Sequence, residues 1–501
     1  MILPGVKKTL IFNEISDAVC KQYFDLSKNK FIHNIDSLYY VVKVKNDWNH
    51  DPGCITFRDY LDQEKTKANQ SHDPHVLFQE NKFLYKLGSE HVTNGIGSAP
   101  YLYDIEKKDK YMMFVMGHQL NDKTPEIWIQ IRSQFLWLYG QYAAVSESLA
   151  DVERILRCFN IEIEEVKENR IDFAYHTNYI QDFLNFFKEE DMNRMQVSGF
   201  GRYSREGKFV GESDVEVDYI TLGAKKSNNL FFRAYNKTKE VIEKGYKQFF
   251  IKLWYMEKLI NYFDFYCIEK AFKQGSYNYL DVARLEFYLE FGSNESFKNL
   301  IKNELKGTSK NYESIRKLAD QLVPKVTLVT NIEIETKRKF YYSMDESVNS
   351  LLKLKSTNVP DYAKKLYVKL DNMQVFHNYL TCKNDKQQGV IRFIDYKGTN
   401  KDGKPWARKY NTPTAAWWKR LQSVKVNRKY DVENVELLRK YQKSLSVDHI
   451  KKRLINSIST YKVYLSHEDI ATSFEEDILD FMSTLNGVQS RKCGFTTLSY
   501  L

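Results

Sequence analysis

Three short segments in which apolar and polar residues alternate constrain the fold of this chain more than any other feature. In residues 228–237, Phe232 and Ala234 point one way and Arg233, Tyr235 and Lys237 the other, following the two-residue pleat of a strand. Residues 170–176 set Arg170, Asp172, Ala174 and His176 opposite Ile171, Phe173 and Tyr175. Residues 284–290 set Arg284, Glu286, Tyr288 and Glu290 opposite Leu285, Phe287 and Leu289. Each reads as a strand with one face for a core and one face carrying charge, carboxylate or phenol.

Around these segments the pattern predicts further strands at 38–44, 111–116, 126–131, 197–209 and 217–222, with a strand at 388–396 later in the chain. Helical spacing covers 146–159, 178–190 and a long aromatic stretch from 239 to 273. Strands and helices in this order predict an α+β fold, an antiparallel sheet backed by helices on one side. Residues 46–94 are polar and read as an insertion. Beyond 307 the text shifts to helical segments near 311–322, 344–355, 360–370 and 433–457. The expected organisation is a lead-in over 1–35, a sheet domain over 36–307 and a mostly helical domain over 308–501.

With 501 residues and a formal net charge of +10, the chain favours anionic partners, nucleic acid before membrane surfaces. No apolar run reaches the roughly 18–20 residues needed to span a bilayer, and the N-terminus lacks the apolar core of a signal peptide. The expected location is the cytoplasm, with no membrane partner. The six cysteines form no CxxC pair and no zinc spacing, so they read as free thiols. No His-apolar-His triplet and no GxxxxGK[ST] loop is present, which excludes the two-histidine metal motif and a P-loop ATPase.

The polar faces suit phosphodiester cleavage through a covalent phosphotyrosine. That reaction needs a phenol nucleophile, hard oxygen ligands for a divalent cation on the scissile phosphate, and cations that stabilise the transition state and the phenolate. Tyr235, the pair Asp172 and Glu286, and Arg233 with Lys237 fill these roles by type. Residues four apart on a flat strand lie roughly 13 Å from each other, so His176 and Glu290 rank below Asp172 and Glu286 as ligands. The same residues also suit a bland alternative, a solvated sheet face with cross-strand ion pairs and a packing tyrosine.

The segments 170–174, 219–227, 232–237 and 284–290, in that order, resemble the Rep_trans family of rolling-circle replication initiators, which includes relaxases of some conjugative elements. The resemblance spans roughly 36–306, and its most specific part is Arg233-Ala-Tyr-Asn-Lys237. It implies site-specific, metal-dependent nicking and strand transfer through a 5′-phosphotyrosyl link on Tyr235, with Mg²⁺ or Mn²⁺ held at Asp172 and Glu286. It also implies origin DNA and the nicked single strand as substrates, a host helicase as partner, and a homodimer. Family members often carry an acid where this chain has His176; imidazole suits Mn²⁺ better than Mg²⁺.

Candidate DNA contacts are Arg202, Arg205 and Lys208 in a basic loop, and Arg408, Lys409, Lys419 and Arg420 beside Trp406, Trp417 and Trp418. Lysines and arginines grip phosphates and aromatics stack on unpaired bases; alternatively the tryptophans anchor a helix to its core. Three other functions compete with the initiator: a conjugative relaxase with the same tyrosine chemistry, a non-catalytic origin-binding protein, and a hydrolytic metal-dependent nuclease.

Overall fold

The computed structural model describes residues 30–71, 75–77, 85–87, 101–118, 124–187, 195–198, 219–223, 229–292, 294–307, 312–342, 352–383, 389–395 and 411–426, with Lys401, Gly403 and Ser457. Residues 1–438 form one compact unit and 439–501 a second; the description below concerns the first. The expected helices at 344–355 and 433–457 lie almost wholly outside the described residues. No described helix is long and apolar enough to cross a membrane.

The strands are β1 (Phe31–Val44), β2 (His75–Leu77), β3 (Tyr85–Leu87), β4 (Tyr101–Lys107), β5 (Tyr111–Met116), β6 (Ile127–Ile131), β7 (Ile163–Thr177), β8 (Gln196–Ser198), β9 (Tyr219–Leu222), β10 (Leu230–Asn236), β11 (Thr330–Lys337) and β12 (Ile391–Phe393). Ten of them form one antiparallel sheet in the order β2-β3-β4-β5-β6-β1-β7-β11-β10-β9, and β8 pairs with β12 apart from it. With its helices this is the α+β fold expected, but helices cover both faces of the sheet and not one. The supposed insertion at 46–94 holds the Pro52–Ser71 helix and the two strands, β2 and β3, at one end of the sheet.

Strand β11 was not anticipated, and it enters the middle of the sheet from beyond residue 307, between β7 and β10. The sheet therefore does not close within 36–307. The supposed strand at 284–290 is instead part of a helix, Tyr279–Phe291. Its apolar residues fit both periods over seven positions, but Leu280, Ala283 and Phe287, all buried, complete the helical spacing. The 239–273 stretch is three helices, Lys237–Lys244, Phe249–Met256 and Tyr262–Gln274. The first ends where Gly245 turns left-handed (φ 63°), a conformation glycine adopts without strain.

Ile35, Leu38, Tyr40, Ile171, Phe173, Tyr175, Phe232, Ile332 and Ile334 bury one sheet face in a core shared with Phe57, Leu61 and Trp418. Each such side chain contributes on the order of 1.5–3 kcal/mol. A second helical layer lies at the opposite, polar face, where Ile32, Trp137 and Ala174 pack with Phe250, Trp254 and Phe287. This layer sets the surroundings of the site.

On the apolar side, His377 is fully buried between the sheet and the Ala416–Gln422 helix. Its Nδ1 meets the Tyr175 hydroxyl at 2.7 Å and its Nε2 lies 3.3 Å from the Gln422 carbonyl. Burial holds the imidazole down to about 3. Below the unfolded value near 6.5 the unfolded chain binds a proton that the folded chain does not. Stability is thus expected to fall by up to about 1.4 kcal/mol per pH unit as pH drops from 6.5 toward 3. Urea titrations of wild type and His377→Gln across that range should show the slope reduced by one proton in the variant. Equal slopes would refute the assignment.

The Ser133–Arg157 helix is broken at Gly140, whose φ 81° and ψ 161° belong to a region open to glycine almost alone. Space is not limiting, because a Cβ there would meet nothing within 4 Å. Gly140→Ala is accordingly expected to cost about 1–3 kcal/mol through backbone strain, read as a lower urea midpoint. An unchanged midpoint would show that the break tolerates an ordinary residue.

Candidate active site

The polar face is assembled by register. On β7, Asp172 faces Glu335 and His176 faces Asn331 of β11; on β10, Arg233 faces Glu333 and Tyr235 faces Asn331. A bulge between Ile35 and Ser37 of β1 inserts Asp36 at the same face's edge. Three adjacent strands therefore bring the tyrosine, two arginines and three carboxylates onto one face, in successive rows.

Tyr235, Asn236 and Lys237 act as a unit because the strand ends there. Asn236 caps the following helix, its side chain accepting from the Lys239 amide at 3.0 Å. Lys237 is consequently the first helical residue, and its side chain reaches the phenol: Nζ donates to Tyr235 Oη at 3.1 Å. Asn331 Nδ2 donates to the same oxygen at 2.9 Å. Two donors on a phenolic oxygen favour phenolate. Burial opposes them and, with Glu240 and Glu333, pushes the phenol well above its ordinary value.

Lys237 is fully buried and also bonds Glu240 Oε2 at 2.5 Å. Burial would neutralise it, but Glu240 and Asp36 outweigh that cost and keep it an ammonium. Burial likewise resists the Glu240 charge, and Lys237, then Lys247, overcome it, lowering the carboxyl to about 2. Asp36 accepts from Trp137 Nε1 at 3.0 Å and lies 3.8 Å from Lys247 Nζ.

Arg170 grips Asp172 through Nε at 2.8 Å and Nη2 at 2.5 Å, and its Nη2 lies 2.8 Å from Glu335 Oε2. Arg233 pairs with Glu333. Burial raises the Asp172 and Glu333 carboxyls despite these partners. His176 is buried, its ring stacked on Trp137 at 4.4 Å. Its Nδ1 accepts from Trp254 Nε1 at 3.1 Å, which fixes the tautomer with the proton on Nε2. Burial, then Lys237, hold this imidazole far below its usual value.

Of the expected metal ligands, only Asp172 and His176 lie on this face. Glu286 and Glu290 sit on the Tyr279–Phe291 helix: Glu286 accepts from Tyr279 Oη at 2.5 Å and lies 3.6 Å from Lys270 Nζ, and Glu290 accepts from Tyr266 Oη at 2.8 Å. The carboxylates that accompany Asp172 are Glu333 and Glu335. Their segment, Asn331-Ile-Glu-Ile-Glu-Thr-Lys337, alternates as cleanly as the tyrosine strand and is legible in the sequence on that ground. As arranged, the three acids are matched to guanidinium groups, and among the described residues no group of three or more His, Cys, Asp or Glu could hold a metal ion. The arrangement does not fit a preformed metal centre.

Trp417 and Trp418 are buried against Phe393 and belong to the core, which removes them as stacking platforms. Lys419 and Arg420 are exposed on the same helix, with Arg420 over the Tyr179 ring at 4.9 Å. Arg202, Arg205, Lys208, Trp406, Arg408 and Lys409 lie outside the described residues.

No protein-family model matches the chain, and no curated protein matches it in sequence. Among solved structures it is similar to a rolling circle replication initiator protein from Geobacillus stearothermophilus, at 11% identity and a TM-score of 0.33, over 80% of this chain and 100% of that one. A similarity of this size bears on neither the reaction nor its residues.

Proposed function

We propose that this chain nicks one DNA strand and retains it as a 5′-phosphotyrosyl ester on Tyr235, in the manner of an initiator of rolling-circle replication. The observation that carries the reading is the pair of donors, Lys237 Nζ and Asn331 Nδ2, converging on Tyr235 Oη beside the Arg233–Glu333 pair. In the reaction the phenolate oxygen forms the new bond to phosphorus, the bond to the 3′ oxygen breaks, and that oxygen leaves as a 3′-OH after taking up a proton. The Arg233 side chain is 31% exposed, so a phosphate approaching from that side meets a guanidinium first. Origin duplex, the nicked strand, a host helicase and a second copy of the chain are the partners this reading calls for. A conjugative relaxase would use the same step at a transfer origin.

One observation favours a second reading, a DNA-binding protein without catalysis: Tyr235 is only 6% exposed and its phenol strongly resists ionisation. The deciding experiment mixes the full-length protein with supercoiled plasmid carrying its candidate origin, with Mg²⁺, with Mn²⁺ and with chelator. Denatured products are then searched for DNA-linked peptides. A 5′ adduct on the peptide containing Tyr235 is the expected result. Binding without any adduct would favour the non-catalytic reading, and nicking without an adduct a hydrolytic nuclease. The chelator arm tests the metal requirement by itself.

A further inference from the structure

The Gly140 break opens a cavity of about 270 Å³ between β1, the broken helix and the end of the Phe249–Met256 helix. Trp137 and Leu253 form apolar walls, and Gln141, Glu257 and Lys425 supply polar groups. Asn34 builds the site, its amide capping the Leu136 carbonyl freed by the break at 3.0 Å. The side chains of Gln141, Glu257 and Lys425 have no hydrogen-bond or ion-pair partner among the described residues. Beside the cavity, Leu138, Tyr139 and Met256 are exposed by 50%, 65% and 77%.

This cavity and Tyr235 lie on one row across the sheet. Ile32, which lines the cavity, is opposite His176; His176 is opposite Asn331; Asn331 is opposite Tyr235. Three strand spacings place the two sites about 14 Å apart. The cavity wall Trp137 also stacks on His176 in that row.

We propose that the cavity holds one unpaired nucleobase of a bound DNA strand, a few nucleotides from the phosphate at Tyr235. A base is a flat apolar slab with a polar edge, and the site matches both. Indole and leucine meet its faces. The Glu257 carboxylate accepts from a ring N–H, such as thymine N3–H, or from an exocyclic amine, and the Gln141 amide both donates and accepts. Lys425 supplies a cation for the adjoining phosphate, and the exposed Tyr139 and Met256 offer surface to a neighbouring base. The position of the base relative to the reacting phosphate rests on the reading of Tyr235 given above; the binding of a base does not.

The test uses the full chain and a 15-nucleotide oligo(dT) carrying one 5-iododeoxyuridine, irradiated and mapped by mass spectrometry, with free 5-iodo-deoxyuridine monophosphate in a parallel arm. Crosslinks to the peptide containing Trp137 and Tyr142 are expected. They should be lost in Leu253→Trp, which fills the cavity, and reduced in the milder Gln141→Ala with Glu257→Ala. Strand affinity should weaken about 10-fold in both. Circular dichroism and melting confirm that each variant is folded; should Leu253→Trp unfold, the milder variant decides. Crosslinks that map elsewhere, or affinity unchanged in the folded variants, overturn the proposal. Crosslinking of the free nucleotide but not the strand overturns it in favour of a nucleotide site. If the origin plasmid forms the Tyr235 adduct yet the strand never crosslinks in the cavity, this proposal alone fails. If the cavity crosslinks while the plasmid carrying the candidate origin never yields an adduct, the base site stands and the nicking reading falls.

Discussion

Lys237→Met should lower the stability of the protein by about 3–5 kcal/mol, read as a shift of the urea midpoint at neutral pH. The side chain is fully buried and is the main counter-charge of Glu240, which it meets at 2.5 Å. Asp36 also depends on it, after Lys247. Methionine has a similar length and would pack, so the loss reports charge rather than volume. Two buried carboxylates would remain with less compensation, and breaking one side of a buried pair costs more than the pair is worth. The pH dependence should change with it. Glu240 has its folded value lowered to about 2, below an unfolded value near 4.3. Its contribution is thus complete above the unfolded value and lost as pH falls through 2, because the unfolded chain takes up the proton first. Without Lys237 that acid-side loss should shrink. A cost below about 1 kcal/mol, with the acid limb unchanged, would mean that Lys247 and Lys244 suffice to balance the carboxylates.

The polar face was legible in the sequence where a strand carries its own alternation. Residues 170–176 and 232–236 lie on β7 and β10 with Arg170, Asp172, Arg233 and Tyr235 toward the same face. What misled was the choice of the third strand. Residues 284–290 and 330–337 both alternate over a short window, and a seven-residue window does not separate a strand from one side of a helix. Arg284 would have appeared as another sheet cation. It is buried in the helical layer, bonding Asp281 at 2.7 Å, Asp320 at 2.9 Å and the Val323 carbonyl at 2.7 Å. The helical layer over the polar face was illegible for a different reason. Phe250 and Trp254 read as generic apolar residues, and only folding places them against His176. The same contacts turn His176 from a candidate ligand into a ring held by stacking and a Trp hydrogen bond. No spacing rule in a strand reports that.

Tyr235→Phe should abolish the DNA adduct and reduce nicking by at least about 10³-fold, the scale on which removal of a covalent nucleophile acts. Its effect on stability should be far smaller, about 1–2 kcal/mol. The ring stays in place, while Lys237 Nζ and Asn331 Nδ2 lose one acceptor each. Lys237 keeps Glu240, and Asn331 Nδ2 keeps a longer contact to Glu333 at 3.3 Å. This disparity separates chemistry from packing: a structural tyrosine would give a folded variant whose cleavage is unchanged. The pH profile adds a second reading. Because burial raises the phenol, wild-type nicking should climb with pH through the neutral range as the reactive phenolate fraction grows, up to tenfold per unit. Any residual cleavage in Tyr235→Phe should lack that climb, since the titrating oxygen is gone. A profile flat in both proteins would place proton removal outside the rate-limiting step. A climb retained in the variant would assign it to another group and sink Tyr235 as the nucleophile.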